Sequence, residues 1–186
     1  QAIRERYPAA QHPTLALLCS EVNLGFAGGV NRALAQVAAE REPPDQVLLL
    51  NPDTLLRPGA LTALSRFLQA HPQVGAVGAQ LLYGDGSFQH SAFRFPTLAM
   101  ILLDFWPLHH RLLDSRLNGR YPRRLYQRGA PFPIDHPLGA ALMARWEALQ
   151  QVGWLDEGFF MYCEEIDWCL RAKRAGWGIY CVPQAQ

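Results

Sequence analysis

The sequence predicts one α/β domain over residues 1–186, with a mainly parallel sheet and helices on both faces. Of the 186 residues, 49% are hydrophobic and 18% are charged. A chain of this size and composition buries a sizeable core and is not intrinsically disordered. Apolar runs of strand length alternate with segments whose apolar residues recur at helical spacing, and the joints between them are short. This alternation is typical of a parallel sheet covered by helices.

The first half of the chain contains three predicted strands. The apolar run Thr14–Ser20 comes first, followed by a glycine-rich turn and a helix. Gln46–Leu50 is continuously apolar beyond its first residue, as in a strand covered on both faces. A second helix begins at Pro58, whose missing N–H costs nothing at a first helical position. The run Val74–Tyr83 is the third predicted strand.

The second half is less regular. Pro96–Pro137 is rich in proline, and only one helix, over about Ile101–Leu117, is expected there. Regular patterns return with helices at Trp146–Val152 and Glu164–Ala175. The run Trp177–Val182 predicts a closing strand.

Charge and cysteine content restrict the partners. Seventeen basic and sixteen acidic residues leave a net charge of +1, so no overall field attracts nucleic acid, and a nucleic-acid partner is not expected. The four cysteines show no CxxC spacing, which favours free thiols in a reducing compartment such as the cytoplasm. The apolar run Leu98–Trp106 is either a buried helix, the more common case, or a surface that touches the inner face of a membrane.

A carboxylate follows the second predicted strand, in the sequence Asn51-Pro52-Asp53. Ligands of open α/β sheets bind beyond the carboxyl ends of the strands. Asp53 could there hold a divalent cation that neutralises a diphosphate leaving group. The alternative is an ordinary turn in which Asp53 caps the next helix.

Five acidic residues lie between Asp156 and Asp167, interleaved with aromatic residues. Crowded carboxylates raise one another's pKa, which suits a general base or a site completed by a cation. Alternatively, Glu164 and Glu165 stabilise the first turn of a helix, and Asp167 pairs with Arg171 one helical turn later.

The glycine-rich segment Asn23–Asn31 is a weaker signal. Its glycines would let backbone N–H groups approach a phosphate, but the spacing matches neither GxGxxG nor a P-loop. Close packing of the helix against its neighbour is the other interpretation.

In combination, these segments resemble the inverting family-two glycosyltransferases, most closely the rhamnosyltransferase-like bacterial branch. The resemblance covers about residues 15–182. It implies a GT-A fold, a nucleotide-sugar donor, a glycan or lipid-linked glycan acceptor, and a Mg²⁺ or Mn²⁺ ion. The matching segments are NLGFAGGVNRAL (23–34), LLLNPDT (48–54), DGSFQHSAFRFPT (85–97), PLGAALMARWEAL (137–149) and VGWLDEGFFMYCEEIDWCLRAKRAGW (152–177).

The resemblance also implies roles for single residues. Asp53 stands at the final aspartate of the family's DxD-type motif and would bind the metal. The acidic pair Glu164-Glu165 corresponds to the pair, most often Glu-Asp, that holds the catalytic base, which would be Glu165. The remaining implied site residues are Asn31, Asn51, Gly139 and Ala140 on the donor side and Asp156 and Glu157 on the acceptor side.

Family members begin with a strand, helix and strand that grip the nucleotide, and this sequence starts after that unit. A downstream histidine of the family would likewise lie beyond residue 182. The sequence is therefore expected to be the central part of a GT-A domain, incomplete at the N-terminus. Alone it is expected to be inactive and to associate with copies of itself through an exposed sheet edge.

Two other classes of protein are alternatives to a glycosyltransferase. A non-catalytic sugar- or protein-binding module on a GT-A scaffold would be favoured by a missing metal aspartate, yet Asp53 is present. A nucleotidyltransferase would require a lysine-bearing phosphate loop, which the sequence lacks.

Overall fold

A computed structural model describes residues 6–7, 11–12, 14–104 and 116–186. The strands are β1 Gln46–Leu50, β2 Val74–Ala79, β3 Leu81–Leu82, β4 Phe88–Gln89, β5 Ala92–Phe93, β6 Phe132–Pro133, β7 His136–Pro137, β8 Ala141–Arg145 and β9 Gly178–Val182. The helices are α1 Gly25–Ala38, α2 Ala60–Ala70, α3 Leu98–Asp104, α4 Arg123–Gln127, α5 Trp146–Val152 and α6 Glu164–Arg174, with a 3-10 turn at Arg116–Asn118.

The main sheet has five strands in the order β1-β8-β2-β9-β6, and it is mostly antiparallel. Only the β2–β9 pair is parallel, so the prediction of a mainly parallel sheet is wrong. Strands β1 and β2 do run in the same direction, as a strand–helix–strand unit requires. However, β8 returns from the irregular middle of the chain and inserts between them, which makes both of its ladders antiparallel.

Helices cover both faces of this sheet, as predicted. The side chains of β8 show this arrangement, because successive side chains of a strand point to opposite faces of the sheet. Ala141 and Met143 join the core beneath α2, whereas Leu142 and Ala144 join the core beneath α1, α5 and α6.

The first predicted strand, Thr14–Ser20, is not a strand in the structure. Its leucines are exposed, Leu15 by 47%. Strand β1 lies at the end of the sheet, and no strand in the described part of the chain pairs with its outer edge. Thr14–Ser20 pairs neither with that free edge nor with any other described strand, so its backbone joins no ladder.

The other predicted elements agree more closely. Gln46–Leu50 is confirmed as a strand, and the Glu164 and Trp146 helices begin where expected. The run Val74–Tyr83 divides after Ala79, because the N–H of Gln80 donates to the carbonyl of Ala185 (2.9 Å) and the chain then enters the β3–β4 hairpin.

The apolar run beginning at Leu98 forms α3, and Leu98, Ile101 and Leu102 on this helix are exposed. Leu98 is 80% and Leu102 67% exposed, so the buried-helix alternative fails for them. The rest of the run, and most of the helix expected over Ile101–Leu117, lie outside the described residues. None of the helices that the structure describes is long and apolar enough to cross a membrane.

Candidate active site

A cleft opens where β1 ends and β8 begins. The N–H of Asn51 donates to the carbonyl of Ala140 (3.0 Å), and the Thr54 hydroxyl donates to the same oxygen (3.4 Å). These contacts fasten the post-strand loop to the residue before β8. The cleft has a volume of about 630 Å³, and Asn51, Asp53 and Ala140 line it. Three residues predicted for the donor side therefore lie together.

The Asp53 carboxylate suits a cation held jointly with a ligand. Asp53 is exposed in a turn on the wall of the cleft. Among the described ranges, no group of three or more His, Cys, Asp or Glu side chains could hold a metal by itself. Mg²⁺ often uses only one or two carboxylates and completes its shell with water and substrate phosphates. Asp53 fits that kind of site and not a closed protein cage.

Arg57 is a cleft residue that the sequence analysis missed. It lines the same cavity, and its guanidinium donates to the side-chain oxygen of Gln186 (2.8 Å). A cation four residues after the candidate metal aspartate was a signal visible in the sequence. Its guanidinium places a permanent positive charge on the wall of the cleft.

Glu165 lies on the other side of the Gly139-Ala140 pair. It is half-buried in the first turn of α6, and a Cβ at Gly139 would stand 3.6 Å from its carboxyl carbon. Phe26, Leu49 and Trp168 line the same small apolar cavity. Burial, and secondarily the charge of Glu164, raise the pKa of Glu165 above its ordinary value, although nearby backbone N–H groups oppose the shift.

Glu164 is more deeply buried than its neighbour, with 6% of its surface exposed. Its Oε2 atom makes no hydrogen bond within the described part of the chain. The preceding residues Tyr162 and Cys163 both adopt positive φ (69° and 73°), a strained conformation for residues other than glycine. This sharp turn directs the start of α6, with its two glutamates, toward the interior.

Asn31 and Glu157 lie together at a different place, between α1 and the loop before α6. The Asn31 amide donates to the carbonyl of Leu155 (2.8 Å) and to the Glu157 carboxylate (2.9 Å), and it accepts from the N–H of Leu155 (3.1 Å). Asp156 accepts from the N–H of Gly158 within its own turn (2.8 Å). Asn31 therefore acts as a clamp in this structure, and its predicted donor contact stays a prediction.

The glycine-rich segment packs against the same loop. The N–H of Phe26 donates to the carbonyl of Phe160 (2.9 Å), and a Cβ at Gly25 would overlap that oxygen. The close-packing interpretation therefore holds for Gly25, which packs against a loop and not a strand. The side chains of Phe160, Met161 and Tyr162 are exposed.

Asp167 has the structural role considered above. Its carboxylate pairs with Arg171 at 2.7 Å, and that guanidinium also donates to the carbonyls of Val152 and Trp154. The pair fastens α6 to the end of α5.

Comparison with known proteins identifies the class. The model of the glycosyltransferase-like family 2 matches residues 2–186, so this chain belongs to that family. Membership implies the GT-A fold. The assignment made from the sequence motifs, to this family and to its rhamnosyltransferase-like branch, is confirmed.

Two relatives are named rhamnosyltransferases. The chain is 33% identical to an N-acetylglucosaminyl-diphospho-decaprenol L-rhamnosyltransferase of Mycobacterium tuberculosis, over all of this chain and 60% of the relative. It is 27% identical to the rhamnosyltransferase WbbL of Escherichia coli, over 86% of this chain and 58% of that protein. The chain thus spans about 60% of the length of these relatives.

Proposed function

We propose that the protein containing this chain transfers rhamnose from a nucleotide-sugar to a hydroxyl group of a lipid-diphosphate-linked glycan, with inversion at the anomeric carbon. The observation that carries the proposal is the Gly139-Ala140 pair. Ala140 fastens the loop of Asp53, and Gly139 contacts Glu165. A cation-binding carboxylate and a carboxylate of raised pKa thereby flank one backbone segment.

In this proposal Glu165 is the general base. Its raised pKa gives the carboxylate a higher affinity for the proton of the acceptor hydroxyl. As that oxygen attacks the anomeric carbon, the bond from this carbon to the diphosphate breaks and the proton passes to Glu165. One displacement inverts the configuration, with no covalent enzyme intermediate.

Asp53 would hold the Mg²⁺ or Mn²⁺ ion, which when bound neutralises charge on the diphosphate leaving group. The open cleft, with Arg57 on its wall, accommodates the diphosphate. Asn51 orients the loop through its bond to Ala140.

The M. tuberculosis relative's name specifies an N-acetylglucosaminyl-diphospho-decaprenol acceptor. An acceptor of this class is a membrane lipid, so we place the reaction at the cytoplasmic face of a membrane. The exposed aromatic turn at Phe160–Tyr162 and the acidic residues Asp156 and Glu157 lie next to α6 and would form the acceptor side.

The test is a transfer assay on the full-length protein with a nucleotide-rhamnose donor, which follows nucleoside diphosphate release and the anomeric configuration of the product. We expect Asp53→Asn to abolish metal-dependent turnover and Glu165→Gln to reduce turnover far more than donor affinity. Glu147→Gln, an exposed glutamate on α5, is the matched control and should leave both unchanged.

Full activity of Asp53→Asn would refute the metal assignment. Loss in Glu164→Gln instead of Glu165→Gln would move the base by one residue. Donor binding without any turnover by the wild-type protein would favour the non-catalytic sugar-binding module.

A further inference from the structure

A second cleft adjoins the one that contains Asp53. It has a volume of about 390 Å³, and Tyr83, Gln89 and Leu138 belong to the walls of both. Its remaining lining residues are Phe88, His90, Phe93, Arg120 and Arg123. A ligand in the second cleft would therefore meet a ligand in the first at their common wall.

The chemistry of this second cleft suits an anion attached to an apolar or sugar ring surface. Two arginines line it, and none of its lining residues in the described part of the chain is Asp or Glu. The Arg123 guanidinium lies over the Phe88 ring, 4.5 Å from its centroid, and that ring also makes an edge-to-face contact with Tyr126, with centroids 4.9 Å apart. Stacking restrains the planar guanidinium, and arginine binds phosphate groups through paired hydrogen bonds.

An exposed apolar surface stands beside this cleft. Leu98, Ile101 and Leu102 project from α3 into solvent. Helix α3 packs on the segment that leads into Arg120, because the Met100 sulfur would lie 3.4 Å from a Cβ at Gly119. A contiguous apolar face next to a basic cleft is the pattern expected for a ligand with an anionic head and a hydrocarbon tail.

We propose that the second cleft binds the diphosphate of a polyprenyl-diphosphate-linked acceptor and that the α3 face contacts its isoprenoid chain. This assignment rests on the proposed function, because it identifies the acceptor as a lipid diphosphate. The donor diphosphate occupies the Asp53 cleft, so the acceptor sugar would reach toward it across the shared wall formed by Tyr83, Gln89 and Leu138.

The experiment measures binding of farnesyl diphosphate by isothermal titration to the full-length protein, with EDTA present so that no metal-dependent donor site contributes. We expect Arg123→Gln to weaken binding at least tenfold and Arg120→Gln to weaken it as well. The matched control is Arg124→Gln, which is on the same helix and exposed like Arg123 but lies outside the cleft, and it should change the affinity less than twofold. Thermal melts verify that all three variants are folded.

Two further probes identify the source of the anion. Inorganic diphosphate should bind much more weakly than farnesyl diphosphate, and Leu98→Ser with Leu102→Ser should reduce only the binding of the prenyl compound. Vesicles of phosphatidylglycerol should not compete with farnesyl diphosphate. Equal affinity for the two diphosphates, or competition by the vesicles, would overturn the lipid-diphosphate assignment.

Unchanged farnesyl diphosphate binding by Arg123→Gln would overturn the proposal entirely. The Asp53→Asn variant distinguishes failure of this second-site proposal from failure of the proposed transfer function. It should lose transfer and keep farnesyl diphosphate binding, whereas loss of both would mean that the two diphosphates use one site and would also refute the second site.

Discussion

The clamp made by Asn31 offers a quantitative test of how the loop before α6 is held. Asn31→Ala removes three hydrogen bonds that join α1 to Leu155 and Glu157. Leu155 is buried, so its backbone groups would lose partners in a place that water reaches poorly. At about 0.5–1.5 kcal/mol for each of the two bonds to Leu155, and with the exposed Glu157 bond adding little, we expect a loss of about 1–3 kcal/mol in the free energy of unfolding.

The measurement is urea unfolding of the wild type, Asn31→Ala and Gln36→Ala, read by circular dichroism. Gln36 is an exposed amide on the same helix, so its substitution should stay within about 0.5 kcal/mol of the wild type. For a domain of this size, the Asn31 loss corresponds to a fall of roughly 2–12 °C in Tm.

A loss below about 0.5 kcal/mol in Asn31→Ala would refute the clamp. A fall in donor affinity without any fall in stability would instead support the donor contact that the family resemblance implies for Asn31. Stability and donor affinity should therefore be measured on the same preparations.

Four further predictions follow from the geometry. Because burial raises the folded-state pKa of Glu165, its ionisation costs stability as pH rises from the unfolded pKa through the raised one; Glu165→Gln should therefore have a higher Tm than wild type at pH 7 and the same Tm at low pH. Turnover of the wild type should fall as the pH drops through that raised pKa, which a pH–rate profile measures. Gly25→Ala should lower the free energy of unfolding by about 1–3 kcal/mol, because the φ of Gly25 is +69° and the new Cβ meets the Phe160 carbonyl. Gly29 has open space around it, so Gly29→Ala should raise the free energy of unfolding by about 0.5–1 kcal/mol in the same urea assay. The isolated chain should elute as dimers or larger species in size-exclusion chromatography, because no described strand pairs with the outer edge of β1 and the leucines of Thr14–Ser20 are exposed. A monomer at all concentrations would contradict this.

Local sequence patterns predicted many of the helices and strands and the family of this protein. The strand Gln46–Leu50 and helix α6 were predictable because apolar runs and helical periodicity act over a few residues. The Asp167–Arg171 pair was predictable because residues four apart lie on one helix face. The combination of motifs, and not any single one, placed the chain in its family.

The tertiary structure determined how the helices, strands and site residues are arranged relative to one another. Strand β8 separates β1 from β2 although some 60 residues intervene between β2 and β8 in the chain, and no local period specifies such an insertion. The same insertion places Gly139-Ala140 between Asp53 and Glu165 and buries the Glu165 carboxylate, which raises its pKa. The sequence by itself determined which residues carry charge and which segments form most of the helices and strands. Direction of pairing, exposure and proton affinity depend on non-local contacts, so only the folded structure determined them.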